Sequence, residues 1–197
     1  KSDRVAADDG GKMSRSKAAG GLQQLIGNQG GERIRFFLLR THYRSTVLFS
    51  EAAIEEAAIG LETFYRLFKR FARVAQRDFY TLQAPSRRAE APALAGEHPA
   101  LAAAARLKAG LLEVMDDDFN TGGAIAELFE LAKVINKFCD DEKLEEAAST
   151  DSVEILTRLM TTLKELSGVL GLFIVPPTQE ESDELLECVM KLVIDLR

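Results

Sequence analysis

The segment Lys12-Met13-Ser14-Arg15-Ser16-Lys17 places three cations and two hydroxyls between Gly10-Gly11 and Gly20-Gly21. A short cationic hook of this kind can fold over a polyphosphate and neutralise charge as a phosphate group departs. Taken alone, the same residues also describe a plain basic tail. A second cationic group is Arg66, Lys69, Arg70, Arg73 and Arg77. Their helical angles fall within about a third of a turn at 3.6 residues per turn. Glu62 is the only acid at an i±4 position along this ridge, so the ridge repels itself unless an anion meets it. Phosphate is the expected anion, and the acidic second half of the chain is the rival. A third set, Arg33, Arg40 and Arg44, shares one sector of a helix with Phe37.

Other reactive residue types read more plainly. Asp116, Asp117 and Asp118 invite a metal or acid–base role, but no His and no second carboxylate cluster is paired with them in sequence. They read as a polar break, with Asn120 or Thr121 capping the next helix. Cys139 and Cys188 end or flank apolar stripes and read as packing residues. His42 closes a helix beside Tyr43 and suits either a local hydrogen bond or an RNA contact. No metal site is expected in this chain.

The elements that must position these groups are helical. Residues 1–30 are loop-rich, with six glycines, and are expected to be a flexible connector carrying the hook. From Glu32 onward the apolar period is that of a helix. The first helix is apolar over most of its circumference, with Ile34, Leu38 and Thr41 on one face and Phe36, Leu39 and Tyr43 on another. Ser50 is expected to cap a long helix reaching about Gln83, with Ile54, Leu61, Phe64, Phe68, Phe71 and Ala75 as its buried stripe. Gly60 reads as a local weakness of that helix or as a close helix contact. Residues 84–99 form a linker punctuated by Pro85, Pro92 and Pro99. Helices are expected at 100–115, 121–138, 151–170 and 178–196, the third opening with Asp151 and Glu154 in a capping-box spacing. Leu172 to Val175 is the only short β-like run. The predicted fold is all-α: an antiparallel bundle of about five long helices behind a Gly-rich loop, with residues 1–30 as one unit and 31–197 as the helical domain.

Composition bounds the rest. The chain has 197 residues, 46% of them hydrophobic, enough for one real core. Two cysteines exclude a disulfide scaffold. No apolar run is long enough for a membrane helix, and the polar start is no signal peptide; a cytoplasmic location is expected. The chain stops within an amphipathic stripe at Leu192 to Arg197 and starts in a loop without an initiator Met, so a piece of a longer protein is expected. The net charge of −6 hides an asymmetry: residues 1–90 carry 16 Lys+Arg against 10 Asp+Glu, and residues 91–197 carry 9 against 21. One half is suited to a polyanion, the other to solubility.

Lys12 to Ser16 resembles the KMSKS signature of class I aminoacyl-tRNA synthetases, with Arg15 in place of the second Lys. It is followed by Arg35-Phe36-Phe37-Leu38-Leu39, Thr41-His42-Tyr43-Arg44-Ser45 and Phe49-Ser50, then by Met115-Asp116-Asp117-Asp118-Phe119-Asn120-Thr121. In this order they resemble the C-terminal part of the cysteinyl-tRNA synthetases, with their DALR-type helical domain. The resemblance runs over residues 12–197 and is closest at 31–66 and 111–136. Lys17-Ala18-Ala19 and Thr46 depart from the family pattern. The resemblance implies ATP-dependent attachment of cysteine to its tRNA, with Arg15 and Lys12 on the ATP phosphates. It implies tRNA contact by Arg33, Arg40, Arg44, Arg66, Lys69, Arg70, Arg73 and Arg77, and no further protein partner or membrane. The family's His-Ile-Gly-His motif and cysteine-recognising zinc site are not in this sequence, so zinc is expected in an N-terminal part of the parent. The chain alone is expected to be inactive. The alternatives are a non-catalytic helical interaction module and a paralogue that joins cysteine to a small molecule.

Overall fold

The computed structural model describes residues 6–7, 27, 29–85 and 98–177. Helix α1 spans Gly31–Leu39, α2 Glu51–Ala75, α3 Pro99–Asp116, α4 Thr121–Asp141 and α5 Thr150–Val169. Among the described residues the only extended pairing is parallel and two residues long, β1 (Ala6–Ala7) against β2 (Leu48–Phe49). The fold is all-α in every longer element. The expected helix at 178–196, the glycine-rich hook and most of the 84–99 linker lie outside the described residues.

Local chemistry sets the helix ends. Ser50 accepts a hydrogen bond from the Ala53 amide at 3.1 Å and starts α2. Asn120 caps α4 through the Gly123 amide at 2.9 Å. Helix α5 begins ahead of the Asp151 that the pattern predicts, because the Ser149 hydroxyl takes the amide of Ser152 at 3.1 Å. Pro99 belongs to the first turn of α3 and not to the linker, since its missing N–H costs nothing there. Helix α5 closes in a Schellman turn: Gly171 adopts φ +67°, and the Leu172 amide bonds the Ser167 carbonyl at 2.9 Å. Helix α2 stops at Ala75, short of the expected Gln83. Gln76 turns left-handed at φ 49° and its side chain donates to the Arg73 carbonyl at 2.6 Å. Asp78 then accepts from the Tyr80 amide and opens a 3-10 turn at Phe79–Thr81.

Side-chain contacts give the helix directions. Gly110 meets Glu127 and His98 meets Phe138, so α3 and α4 run antiparallel. Tyr65 lies by Phe173 while Lys164 bonds the carbonyls of Phe79 and Tyr80, so α2 and α5 run antiparallel. Gly60 meets Phe129 and Arg70 meets Asn136, so α2 and α4 advance together. Helices α2 to α5 therefore alternate up and down.

The core is aromatic at its centre. Phe68 stacks on Phe79 with centroids 3.8 Å apart, and Phe64 packs on Phe129 and Phe173 at 4.8 and 5.1 Å. A Cβ on Gly60 would stand 3.0 Å from the Phe36 ring, which explains the glycine in α2. The Phe stripe and Cys139 are buried, as the periodicity predicts. Phe37, placed by the helical wheel in the arginine sector, is buried edge-on to Phe49 at 6.0 Å, and Leu38 is exposed instead. In a nine-residue helix apolar over most of its circumference, tertiary packing chooses the inner face. The run from Leu172 to Val175 is a turn, not a strand: Leu172 and Phe173 are buried, Ile174 and Val175 exposed.

Candidate functional site

The ridge on α2 divides into two kinds of cation. Arg66 is exposed and loosely paired with Glu62 at 3.3 Å. Lys69 is exposed, and so is Arg77, which lies beyond the left-handed Gln76 and therefore off the helical ridge the spacing predicts; among the described residues neither makes an ion pair. Arg73 is exposed and reaches Glu145 at 2.9 Å. Arg70 faces inward, its side chain 15% exposed. Its guanidinium donates to the Asn136 carbonyl and side-chain oxygen at 3.3 and 3.0 Å and to the Asp140 carboxylate. Burial pulls the Arg70 pKa down, but the Asp140 hydrogen bond and neighbouring charges more than reverse it and hold it above the ordinary value. The acidic half of the chain thus occupies Arg70, shares Arg73, and leaves Arg66, Lys69 and Arg77 toward solvent.

The third set lies on and after α1. Arg33 donates to Gln29 at 2.8 Å. Arg40 is 3.5 Å from Glu56 at the start of α2. Arg44 bonds Asp118 at 3.0 Å and the Tyr43 hydroxyl at 3.0 Å. The cations therefore extend from the beginning of α2 to its end, a helix of 25 residues and so about 37 Å at 1.5 Å per residue. Lys12 and Arg15 lie outside the described residues.

Asp118 is a hub that the sequence does not reveal. Its Oδ1 accepts from the Tyr43 hydroxyl at 2.7 Å and from Arg44, and His42 Nε2 lies 3.6 Å from Oδ2. It joins the two motifs Thr41–Ser45 and Met115–Thr121, more than 70 residues apart in the chain. His42 also serves the turn locally, taking the Arg44 amide on Nδ1 at 3.3 Å. The three aspartates otherwise form the polar break expected between helices. Glu32 is a second hub, accepting from the Tyr65 hydroxyl and the Phe173 amide, while Arg35 donates to the Gly171 carbonyl at 2.7 Å. Asp140 and Glu145, which hold Arg70 and Arg73, could have been flagged only by the excess acid of the second half, and no sequence signal marks Asn136.

Among the described residues no group of three or more His, Cys, Asp or Glu is placed to hold a metal ion. Among the same residues no helix is long and apolar enough to cross a membrane.

Residues 112–174 match the DALR domain family. The chain is 32% identical over 176 residues to a cysteine–tRNA ligase of Heliobacterium modesticaldum, which covers 89% of this chain and 34% of that protein. It is 34% identical over 182 residues to the cysteine–tRNA ligase of Desulfitobacterium hafniense, with 89% and 34% covered. With the cysteine–tRNA ligase of Trichlorobacter lovleyi it shares 36% over 151 residues, covering 75% and 28%. The chain spans about a third of the length of these relatives.

Proposed function

The chain belongs to the cysteine–tRNA ligase family, and from that premise we propose that it supplies the tRNA-facing helices and the ATP-phosphate loop of such a ligase. The observation that carries the reading is the set of exposed cations on one face of α2, Arg66, Lys69 and Arg73, with the exposed Arg77 just past its end, in a bundle otherwise rich in acid. Such a row meets a phosphate backbone, giving affinity and register without reading bases. Arg40 and Arg44 extend it toward the start of α2, and Arg33 stands on α1. Arg70 contributes by holding the α4 end beside the row.

In this reading cysteine and ATP form cysteinyl-adenylate and pyrophosphate, and a hydroxyl of the terminal ribose of the tRNA then takes the acyl group with release of AMP. Arg15 and Lys12 neutralise the phosphate charge of the first step. Zinc, which the family uses to recognise cysteine, belongs to a part of the ligase outside this chain. Residues 1–30 act as connector and loop, and the residues beyond act as the tRNA-contacting domain.

The test is tRNA binding as a function of salt. Each neutralised phosphate contributes roughly 0.7–0.9 to the slope of log affinity against log salt. Lys69→Gln with Arg77→Gln should weaken binding and lower that slope by about 1.5. The loss should be equal for cysteine tRNA and a non-cognate tRNA. An unchanged slope would mean that the ridge faces only water.

A further inference from the structure

Asp118 and Phe119 are consecutive non-glycine residues in the left-handed region, at φ 61° and 53°. Asp tolerates this conformation, whereas a bulky aromatic does not adopt it cheaply. Phe119 gains nothing from packing, since it is 67% exposed. The turn is nonetheless held firmly by backbone hydrogen bonds from Asn120 to Val114 at 3.0 Å and from Thr121 to Phe119 at 2.7 Å. Strain kept in place at Phe119 by its surroundings points to a task for the turn that contains it. Here the task is visible in where the Asp118 carboxylate goes: to Tyr43, Arg44 and His42, all in the turn that reverses the chain after α1.

That turn aims the next stretch of chain. The Ser45 amide closes it on the His42 carbonyl at 2.8 Å. The chain then passes directly into β2, where Leu48 and Phe49 pair with Ala6 and Ala7. Ala7 precedes Lys12 by five residues. Close approach at the base of the turn is built in: a Cβ on Gly122 would stand 3.0 Å from the Arg40 carbonyl oxygen. The first turn of α4 therefore abuts the end of α1 with no side chain between them.

We propose that Asp118 is a positioning residue, which through Tyr43 and Arg44 fixes the turn that sets β2 and thereby the direction of β1. The bundle governs in this way the strand leading toward the cationic hook. The contribution of Asp118 to catalysis rests on the proposed function; its hold on the strand pair does not.

Asp118→Asn keeps the shape and removes the charge. In this chain, amide hydrogen exchange at Ala6, Ala7, Leu48 and Phe49 should speed up at least about tenfold, with core amides of α2 to α5 within about twofold. The melting temperature should stay within about 2 °C. Tyr43→Phe with Arg44→Ala should give the same local pattern, and adding Asp118→Asn to it should change nothing further, because the interaction is already gone. Unchanged exchange at the strand pair overturns the proposal. Uniform acceleration with a lower melting temperature overturns it too, since that is general packing. In a complete ligase carrying this segment, Asp118→Asn should lower kcat for cysteine-dependent pyrophosphate exchange about tenfold at unchanged KM for cysteine. An unaltered kcat removes the link to the hook. If the unaltered chain fails to bind tRNA, the functional reading fails, and the exchange experiment still decides the positioning role.

Discussion

Arg70 and Arg73 stand three residues apart on one helix and do opposite jobs. Arg70 is held by Asn136 and Asp140, so its removal takes the charged donor from the Asn136 side-chain oxygen and the Asp140 carboxylate. Hydrogen bonds to charged groups contribute about 1.5–3 kcal/mol. Arg70→Gln should therefore destabilise the bundle by about 1–3 kcal/mol in urea unfolding, whereas the exposed Arg73→Gln should stay within roughly 0.5 kcal/mol. Equal losses would show that both arginines are structural. Cys139 carries a different signature. Burial pushes its thiol from 9.0 up to about 11, so it is a poor nucleophile at neutral pH. Above pH 9 the unfolded chain releases a proton that the fold retains, and stability falls as pH rises. Tyr65 and Tyr80 are also pushed up by burial from 10.0 and act in the same direction at higher pH. Cys139→Ala should accordingly move the onset of alkaline destabilisation from about pH 9 toward pH 10, read by urea midpoints across pH 8–11. An onset that does not move would mean that the thiol is not the first group to titrate.

At the scale of elements, two glycines within helices should respond with opposite sign. A methyl placed on Gly168 would have nothing within 4 Å, so Gly168→Ala should stabilise α5 by up to about 1 kcal/mol through reduced backbone freedom. At Gly60 the same methyl meets the buried Phe36 ring at 3.0 Å and the partly buried Phe129 ring at 3.4 Å. Overpacking costs about 1–3 kcal/mol, which exceeds the gain in helix propensity of about 1 kcal/mol. Gly60→Ala should lower the melting temperature and Gly168→Ala should raise it. A stabilising Gly60→Ala would mean that the α1–α2 contact yields easily. The sequence announces the Ser50 and Asn120 caps and the Phe stripe of α2, because each depends on neighbours within one or two turns. It does not announce where α2 ends. Phe79, Tyr80 and Leu82 continue an apolar pattern, and the break rests on Gln76 bonding backward to Arg73. Nor does it show which way Arg70 turns or what Asp118 holds, since those partners are 66 or more residues away.

For the molecule as a whole, the division into a basic and an acidic half becomes a matter of geometry. The acidic half meets the ridge through Asp140 and Glu145 at the α4–α5 corner, and the remaining cations stay on the outer surface of α2. The composition shows both partners but not the split between them, because the split depends on α2 and α4 advancing side by side. A further property follows from Glu32 and Arg35, which tie the beginning of α1 to residues 171–173 after α5. The segment from 32 to 173 therefore returns to its own starting point. Its order of elements can be rotated without moving an atom of the core. A circular permutant that joins 173 to 32 through a short glycine linker and opens between Glu146 and Ala148, where the α4–α5 connection is exposed, should fold with the parent's helical circular dichroism and a cooperative melt. Failure to fold would mean that the α4–α5 connection must form before the rest can close. A segment that leaves where it began also needs only one gap in a surrounding chain, so the same bundle can be grafted into a surface loop of an unrelated host without prising that host apart.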